Sequence, residues 1–382
     1  MSMQSSSAPL NLLSGDPTAA TQPARRRSAW RLGALFVGVA ALVFGSIGTV
    51  NYRYNPLTYD GDQQQAVAAT LAGGGNVAIA DPNIDWRTLR SKHLSQMKET
   101  PDVILFGGSR WQEASAAVAP NKRFYNAFVT NDFFEDIVAL TGQLYTTGHL
   151  PKTLILSVRF FSFDYLDRHD QLWWTLTSPE YKQMSERLGI PAHSWTDSVP
   201  VSQYSHLLSA DSALKSLQRG SVEEAGWRPT TAVSDPQMNI IGSDGALRFS
   251  EAHLKTLTPE GVEKDALETA AQHRTARIHI KRELVGQLGT LIGFLKKQGV
   301  QVVLVQTPFH PAYFKAIQGT PYYDDIRQVE ADTRSVAAAS GALVGGGFDS
   351  LALGCTAADY RDFNHASDHC LTQVLRSIPG LN

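Results

Sequence analysis

One short stretch of the chain, VILFGGSRWQE from Val103 to Glu113, places a serine directly after an apolar run and two glycines. The pair Gly107 and Gly108 allows a tight turn and a close approach of the backbone. Ser109 then stands where a helix can begin and where backbone N–H groups lack helical acceptors. A hydroxyl there can act as a nucleophile whose own N–H helps to hold an oxyanion. The alternative is that Ser109 only caps a helix, a role that serine fills well.

Partners for a nucleophilic serine stand near the end of the chain, in YRDFNHASDHC from Tyr360 to Cys370. A serine nucleophile needs a base, and the base needs an acid that orients it. Asp362 and His365 are three residues apart. In a tight turn this spacing lets the carboxylate reach imidazole Nδ1 and fix the tautomer, which leaves Nε2 to face Ser109.

Two other interpretations of the same stretch stay open. Asp362, His365, Asp368 and His369 are four possible metal ligands, and the two histidines have the i, i+4 spacing that suits zinc on a helix. No further cluster of ligands is evident, so we predict no metal site. The third interpretation is a surface loop without chemistry.

Short apolar runs alternate with segments of helical periodicity over most of the chain after residue 101. Near-continuous apolar strands separated by helices predict a parallel sheet covered on both faces, which is a doubly wound α/β domain. The predicted strands are 102–107, 123–129, 153–161, 300–308 and 342–349, and the predicted helices are 131–148, 267–298, 323–340 and 371–377.

Polar residues follow three of these strands. In open α/β sheets, ligands bind beyond the carboxyl ends of the strands. The three strand ends would gather Ser109 and Arg110, Arg159, and His310 on one rim. Arg110 would line the cleft or begin a helix with one exposed face. His310 stands between Pro308 and Pro311, and we interpret it as a rim or structural histidine rather than as the base.

The alternation stops between about 165 and 266, which we interpret as an insertion over the top of the sheet. Asp244-Gly245 predicts a hairpin within it. Trp173 and Trp174 are candidates to stack on sugar rings or to enter the core. Residues 51–100, with GDQQQAVAATLAGGGN, are predicted to form a linker or stalk with some helix, and the domain itself would cover 101–382.

The N-terminal region carries one long uncharged segment, Leu32 to Val50. It is long enough to cross a bilayer core of about 30 Å. The arginines Arg25, Arg26, Arg27 and Arg31 precede it, which predicts a cytoplasmic N-terminus, a signal anchor over 32–50 and everything after it outside. Residues 1–31 would form a cytoplasmic tail. A cleavable signal peptide is the alternative.

The two cysteines of the chain are Cys355 and Cys370. In an oxidising compartment they could pair, which would close a loop of about 15 residues and contribute about 3 kcal/mol in the chain-entropy model. Such a bridge would fasten the loop that carries Asp362 and His365. Two buried free thiols are the alternative. The formal net charge of −2 argues against a nucleic-acid binder.

Two of these motifs resemble those of a known family. ILFGGSR resembles the first block of the SGNH (GDSL-type) hydrolases, where Gly-x-Ser carries the nucleophile, and DFNHAS resembles their last block, Asp-x-x-His. The resemblance covers about 101–164 and 267–380. With a signal anchor in front, the chain is similar to the accessory proteins of alginate O-acetylation and of teichoic-acid D-alanylation.

The resemblance implies a flavodoxin-like doubly wound sheet and roles for particular residues. Ser109 would be the nucleophile, His365 the base and Asp362 its orienting acid. The oxyanion hole would draw on Gly108 and on the second block, YNAFVTND, where Asn126, Thr130 or Asn131 could donate. The third block, SVRFFSFD, has Arg159 and lacks the asparagine of the family, so Arg159 could serve substrate binding instead.

The function that these expectations support is acyl transfer outside the cell membrane. The chain would be an O-acetyltransferase that acts on an envelope or exopolysaccharide at the bacterial inner membrane, with its C-terminal domain periplasmic and no cofactor of its own. Because acetyl-CoA is cytoplasmic, a multi-span membrane acyltransferase would be its partner. The alternatives are a polysaccharide acetylesterase and a non-catalytic glycan-binding or structural subunit of a polysaccharide machine.

Overall fold

The structure is a computed structural model in which helices and strands alternate along the chain. It describes residues 23–54, 61–80, 84–164, 175, 178–192, 210, 213–214, 226–379 and 381. The helices are α1 (Pro23–Tyr54), α2 (Gly61–Ala72), α3 (Trp86–Gln96), α4 (Phe134–Thr146), α5 (Pro179–Leu188), α6 (Glu251–Thr256), α7 (Pro259–His273), α8 (Arg282–Lys297), α9 (Pro311–Ile317), α10 (Pro321–Ser340) and α11 (Asp368–Arg376). The strands are β1 (Asn76–Ile79), β2 (Val103–Phe106), β3 (Phe124–Asn126), β4 (Thr153–Ser157), β5 (Trp227–Thr230), β6 (Asn239–Ile241), β7 (Leu247–Arg248), β8 (Gln301–Gln306) and β9 (Leu343–Gly346).

A five-stranded parallel sheet organises the domain, with the strand order β3-β2-β4-β8-β9. Its strands are rich in valine, leucine and isoleucine, which pack well on a pleated surface that is buried on both sides. The coarse prediction of an α/β domain around a parallel sheet is therefore confirmed.

Alternate residues of the central strands enter two different cores. Ile104 and Phe106 of β2 pack into the core that also contains buried residues of α4, α8 and α10. Val103 and Leu105 point to the other face and pack with Leu371 and other buried residues of α11. Since successive side chains of a strand point to opposite faces, helices cover both sides of the sheet.

A second, antiparallel sheet of four strands has the order β5-β1-β6-β7. Its strand β1 and the helices α2 and α3 belong to the segment predicted to be a linker or stalk. That prediction is wrong for 61–97, because apolar side chains of this segment enter the main core. Val67, Leu71, Val77, Leu89 and Leu94 are all at most 3% exposed.

Helix α3 is fixed to the parallel sheet through buried polar groups. Arg87 donates two hydrogen bonds of 2.8 Å to the carboxylate of Asp136 at the start of α4. Arg90 donates to the carbonyl of Phe128 and, at 2.7 Å, to that of Gly245. The ring of His93 stacks on the ring of Tyr125 in β3, with centroids 4.4 Å apart. The segment is thus a structural part of the domain.

The region predicted to be an insertion, 165–266, supplies most of the second sheet. Strands β6 and β7 pair antiparallel, and Gly245 between them has φ of +81°, so the predicted hairpin at Asp244-Gly245 is confirmed. Helix α5 packs on α4. Trp173 and Trp174 lie outside the described residues.

The single helix predicted over 267–298 is wrong, because two helices, α7 and α8, occupy this part of the chain. Between them the backbone N–H of Ile278 donates to Asp325 at 2.9 Å, and Arg277 donates to both oxygens of the same carboxylate. Ile280 forms a β-bridge with Asp164. These tertiary contacts replace the helical hydrogen bonds that the sequence pattern predicted.

Helix α1 contains the segment predicted to be a signal anchor. Trp30 to Val50, 21 residues with a mean hydropathy of 2.0, is long and apolar enough to cross a membrane. The large apolar side chains Leu35, Phe36 and Leu42 are 66–75% exposed, as a lipid-facing helix requires. The orientation of the helix stays a prediction.

Replacing Leu89 by alanine tests whether α3 is part of the folded domain. Because Leu89 is fully buried, we expect Leu89→Ala to lower the free energy of unfolding by about 2–5 kcal/mol. The matched control, Leu267→Ala, removes a side chain that is 46% exposed and should change it by less than about 0.5 kcal/mol. Denaturant titration measures both, and equal small effects would restore the stalk interpretation.

The burial of His93 predicts a pH dependence of stability. Burial, together with the nearby charge of Arg90, lowers the pKa of His93 from 6.5 to about 3. The unfolded chain therefore takes up a proton below pH 6.5 that the folded chain does not, so stability falls as the pH falls. Between pH 7 and pH 5 this residue alone should remove about 2 kcal/mol. Denaturant titrations at both pH values should show that the stability of His93→Gln depends less on pH than that of wild type. An unchanged dependence would contradict the lowered pKa of His93.

Candidate active site

Ser109 begins a short 3₁₀ helix, Ser109–Trp111, directly beyond the carboxyl end of β2. The two glycines before it are required by close packing. A Cβ on Gly107 would lie 2.8 Å from the indole of Trp111, and one on Gly108 would lie 2.3 Å from Oδ1 of Asp132. Because any larger residue would clash, this turn can hold Ser109 in one position at the edge of the sheet.

The three side chains predicted to work together are joined by hydrogen bonds. His365 Nε2 lies 2.8 Å from Oγ of Ser109, although 256 residues separate them along the chain. His365 Nδ1 lies 2.6 Å from Oδ2 of Asp362. The carboxylate accepts the Nδ1–H, so the neutral ring carries its free lone pair on Nε2, where it can accept the proton of the serine hydroxyl.

Asp362 is held by its own turn. Its Oδ1 accepts the backbone N–H groups of Asn364 and His365, both at 2.8 Å. Burial acts to raise the pKa of Asp362, but the hydrogen bonds from the His365 side chain and from these two backbone groups outweigh it, and the pKa lies below its ordinary value. The carboxylate therefore stays charged and able to orient His365 at neutral pH.

Charged and polar pairs join the segment after Ser109 to the loop that carries Asp362 and His365. Arg361 donates two hydrogen bonds to the carboxylate of Glu113, at 2.9 and 2.8 Å. The backbone N–H and the hydroxyl of Ser115 donate to Asp368 at 2.8 and 3.0 Å. We call the contact of 109–115 with 360–368 the interloop clamp. It fixes the distance between Ser109 and His365.

Arg110 also belongs to the interloop clamp, so the prediction that it lines the cleft is wrong. Its side chain is buried and donates to the backbone carbonyls of Asn364, at 3.2 Å, and of Pro308, at 2.9 Å. Its guanidinium lies over the ring of Phe309, 4.4 Å from the centroid. Burial lowers the pKa of Arg110 to about 10, so it keeps its charge at neutral pH. Through its hydrogen bond to the carbonyl of Asn364, Arg110 supports the Asp362–His365 turn.

Cys355 and Cys370 form the predicted disulfide, with their Cα atoms 5.3 Å apart. The bridge joins the loop before Asp362 to helix α11 behind it. Both cysteines are buried among the residues that also contact Trp111 and Leu371. The disulfide thus fastens the loop that carries Asp362 and His365 to the core.

The metal interpretation of 362–369 finds no support in this geometry. Asp368 accepts from Ser115, and His369 Nδ1 lies 2.9 Å from Asp359, away from the pair of Asp362 and His365. Within the described part of the chain, no group of three or more histidine, cysteine or acidic side chains is arranged to hold a metal ion.

The candidate oxyanion donors have different environments. Asn126 is fully buried, and its amide donates to the carbonyls of Trp111 and Ala114 at 2.7 and 2.9 Å, so both N–H bonds are used and the predicted oxyanion role does not fit. Asn131 is exposed at the end of the loop after β3, with φ of +48°. The N–H of Ser109, as the first of the 3₁₀ helix, has no acceptor within that helix.

Arg159 lies behind the serine turn, so it does not fit the predicted substrate-binding role. Its Nε lies 2.8 Å from Oδ1 of Asp132, and both side chains are buried. Its guanidinium covers the ring of Phe161 at 3.9 Å. Burial raises the pKa of Asp132 to about 6, against the attraction of Arg159. The pair fills the space in which a side chain at position 108 would lie, and so supports Gly108.

His310 has a structural position, as predicted for a rim histidine. Its Nδ1 accepts the N–H of Ala312 at 3.2 Å and thereby caps helix α9. Its backbone N–H donates to the carbonyl of Phe363 at 2.9 Å, within the Asp362–His365 turn. Its link to the Asp362–His365 turn is thus a backbone hydrogen bond to Phe363.

Sequence reasoning missed Glu113, Ser115 and Arg361, and it named Asp368 only as a possible metal ligand. Glu113 and Arg361 are 248 residues apart along the chain, and Ser115 and Asp368 are 253 residues apart. The only available signal was that each lies within six residues of Ser109 or His365.

No family model matches the chain, and no curated protein matches it either. The resemblance to the SGNH hydrolases therefore depends on the two motifs alone. The hydrogen bonds that join Ser109, His365 and Asp362 support a chemical interpretation of the site that does not depend on any relative.

The ion pair of Glu113 and Arg361 should stabilise the interloop clamp measurably. Removing one partner leaves the other charge unpaired and with little access to water. We therefore expect Glu113→Gln and Arg361→Gln each to lower the free energy of unfolding by about 2–3 kcal/mol. This is less than for a fully buried pair, because Arg361 is partly exposed. The double variant should cost less than the sum of the two.

The exposed pair of Lys255 and Glu251 provides the control, and Lys255→Gln should change stability by less than about 0.5 kcal/mol. A double-mutant cycle from denaturant titrations measures the coupling. If the two changes at Glu113 and Arg361 simply add, the pair does not connect the loops energetically.

Proposed function

We propose that the chain is a membrane-anchored, extracytoplasmic serine acyl-transfer enzyme of the SGNH type. It transfers acyl groups, in the simplest case acetyl, to hydroxyls of an envelope or exopolysaccharide. The observation that carries this proposal is the continuous hydrogen-bonded series Ser109–His365–Asp362 beyond the carboxyl end of a parallel strand. A hydroxyl, a ring nitrogen and a carboxylate in this order are the parts of a serine nucleophile with its base and orienting acid.

In the first half-reaction, Oγ of Ser109 attacks the acyl carbonyl of a donor ester while Nε2 of His365 takes the hydroxyl proton. The tetrahedral intermediate collapses, the donor's C–O bond breaks, and His365 returns the proton to the leaving oxygen. Asp362 stabilises the imidazolium that forms in between. The product is an acyl ester of Ser109.

In the second half-reaction, a sugar hydroxyl gives its proton to Nε2 of His365 and attacks the acyl-serine. The Ser109 ester bond breaks, the proton returns to Oγ, and the sugar ester leaves. Water in place of the sugar hydroxyl gives hydrolysis by the same steps, so a polysaccharide acetylesterase uses the same residues. The rigid interloop clamp suits both half-reactions because neither needs the loops to move.

The oxyanion of both tetrahedral intermediates needs donors near Ser109. The N–H of Ser109 is the first donor that we assign, since it lies at the start of the 3₁₀ helix. We assign Asn131 as the second, because it is exposed and directly precedes Asp132, whose carboxylate packs on Gly108.

Helix α1 and the disulfide support a location outside the cytoplasm. A 21-residue apolar segment can hold the domain at a membrane, and disulfides persist in oxidising compartments. A transferase located there needs acyl groups carried across the membrane, which is why we propose a multi-span membrane acyltransferase as the partner. The anchor would keep the domain beside it.

The nucleophile is tested by intact-protein mass spectrometry after incubation with a chromogenic acetyl ester. We expect wild type to gain about 42 Da, one acetyl group, or to release chromophore in a burst, and Ser109→Ala to do neither. Ser95→Ala, which removes an exposed serine hydroxyl on α3, is the matched control and should behave as wild type. Adding sugar acceptors to the acylated protein then separates transfer from hydrolysis.

A folded wild type that gains no acetyl group and releases no chromophore would argue against the proposal. The same conclusion would follow from an adduct that persists in Ser109→Ala, since the acyl group would then lie on another residue.

A further inference from the structure

A cavity of about 470 Å³ lies beside the Asp362–His365 turn. Its walls come from α7, from His310 and α9, and from the loop after β9. His310 connects it directly to the turn, through its backbone hydrogen bond to Phe363 and through its ring, which lies 5.4 Å from the ring of Tyr360. The volume is within the range of small-molecule sites, about 300–1,000 Å³. None of the steps proposed above uses this cavity.

His310 belongs to the wall of the cavity, and its ring carries one hydrogen-bond donor. Since its Nδ1 accepts the N–H of Ala312, the proton of the neutral ring is on Nε2. Burial lowers the pKa of His310, against the carboxylates of Glu263, Asp265 and Asp362, so the neutral form prevails at neutral pH. Among the described residues, none is hydrogen-bonded to this Nε2. His310 is only 1% exposed, so it is a fixed part of the wall rather than a mobile side chain.

The other polar groups of the cavity are two carboxylates and one ammonium group. Glu263 and Asp349 carry a charge of −1 each and Lys315 carries +1, so the lining has a net charge of −1. Oδ1 of Asp349 accepts the backbone N–H groups of Leu351 and Ala352, and no residue in the described part of the chain donates to Oδ2. Donors and acceptors are therefore both present, with an excess of acceptors that suits hydroxyl groups.

Apolar side chains complete the lining. Leu351 is 67% exposed, and Phe314 and Pro311 contribute further apolar surface. A sugar ring has hydroxyls at its edge and C–H groups on its faces, so it needs polar groups and apolar surface together. This combination is what the cavity provides.

The cavity is displaced sideways from the nucleophile. His310 follows β8, which lies two strands away from β2 in the parallel sheet. With strands about 4.8 Å apart, this is a lateral distance of about 10 Å. A sugar in the cavity would therefore not be the one that accepts the acyl group, but a nearby unit of the same polymer.

We propose that this cavity is a subsite for a neutral sugar unit of the acceptor polysaccharide, next to the unit that is acylated. The proposal rests on the proposed acyl transfer to a polysaccharide and names the class of polymer. The net negative lining repels the carboxylates of uronic acids, so a uronate polymer binds less well than a neutral glucan. Electrostatic repulsion at such a surface site is on the order of 1 kcal/mol, or about five-fold in affinity.

Direct binding by isothermal titration calorimetry tests the subsite without turnover, with every protein carrying Ser109→Ala. The probes are cellohexaose, which is neutral, and a mannuronate oligomer of the same length. We expect cellohexaose to bind at least five-fold more tightly than the mannuronate oligomer. Glu263→Lys, which turns the net charge of the lining from −1 to +1, should reduce or reverse this preference.

The blocking variant Leu351→Trp fills the cavity from an exposed position, so it should fold normally and weaken cellohexaose binding at least ten-fold. Val233→Trp is the matched control, since Val233 is 65% exposed and is not part of the lining, and it should bind as well as the parent. No binding of cellohexaose, equal binding by Leu351→Trp, or tighter binding of the mannuronate oligomer by the parent would each overturn the proposal.

The glycan-binding experiment and the acylation experiment test the two proposals separately. Acylation of Ser109 is measured with a small ester and no glycan, and the binding experiment uses a protein that cannot be acylated at Ser109. Acylation without cellohexaose binding would remove the subsite and keep the enzyme. Binding without acylation would keep the subsite and remove the nucleophile.

Discussion

The interloop clamp is the constraint on which the site depends. A serine hydroxyl becomes a nucleophile only if the imidazole stays within hydrogen-bonding distance of it, and here the two residues are 256 positions apart. The Glu113–Arg361 ion pair, the contacts of Ser115 with Asp368, and the hydrogen bonds from Arg110 hold the two segments together. Each of these groups is wholly or largely withdrawn from water, so their loss would leave buried polar atoms without partners.

The surroundings of Ser109 explain why charged residues are buried so close to an apolar sheet. Arg110 supports the base-carrying turn from one side, and the pair of Arg159 and Asp132 supports the serine turn from the other. Burying the two arginines is costly unless they are paired or hydrogen-bonded, and the carbonyls, the carboxylate and the aromatic rings around them reduce that cost. Their role is to keep the site rigid.

The elements that the sequence predicted well are those with local signals. The five parallel strands have continuous apolar patterns, and the spacing of Asp362 and His365 depends only on one turn. The linker prediction failed because the apolar residues of 61–97 are sparse in sequence and are recognised as core only when β1 pairs with β5 and β6. The directions of Arg110 and Arg159 were also beyond prediction, since residue type and strand position do not reveal which way a long side chain turns. The same holds for Asn126, whose amide is used by a neighbouring loop.

We propose that the interaction with His365 and Asp362 makes Ser109 a nucleophile. The most direct measurement is the rate of covalent labelling by a phosphonofluoridate, with the modified residue located by peptide mapping. The geometry predicts a single adduct on Ser109 in wild type and a rate that is lower by orders of magnitude in Asp362→Asn, where His365 takes the wrong tautomer. An unlabelled Ser109 in the folded protein, or equal rates in the two proteins, would contradict it.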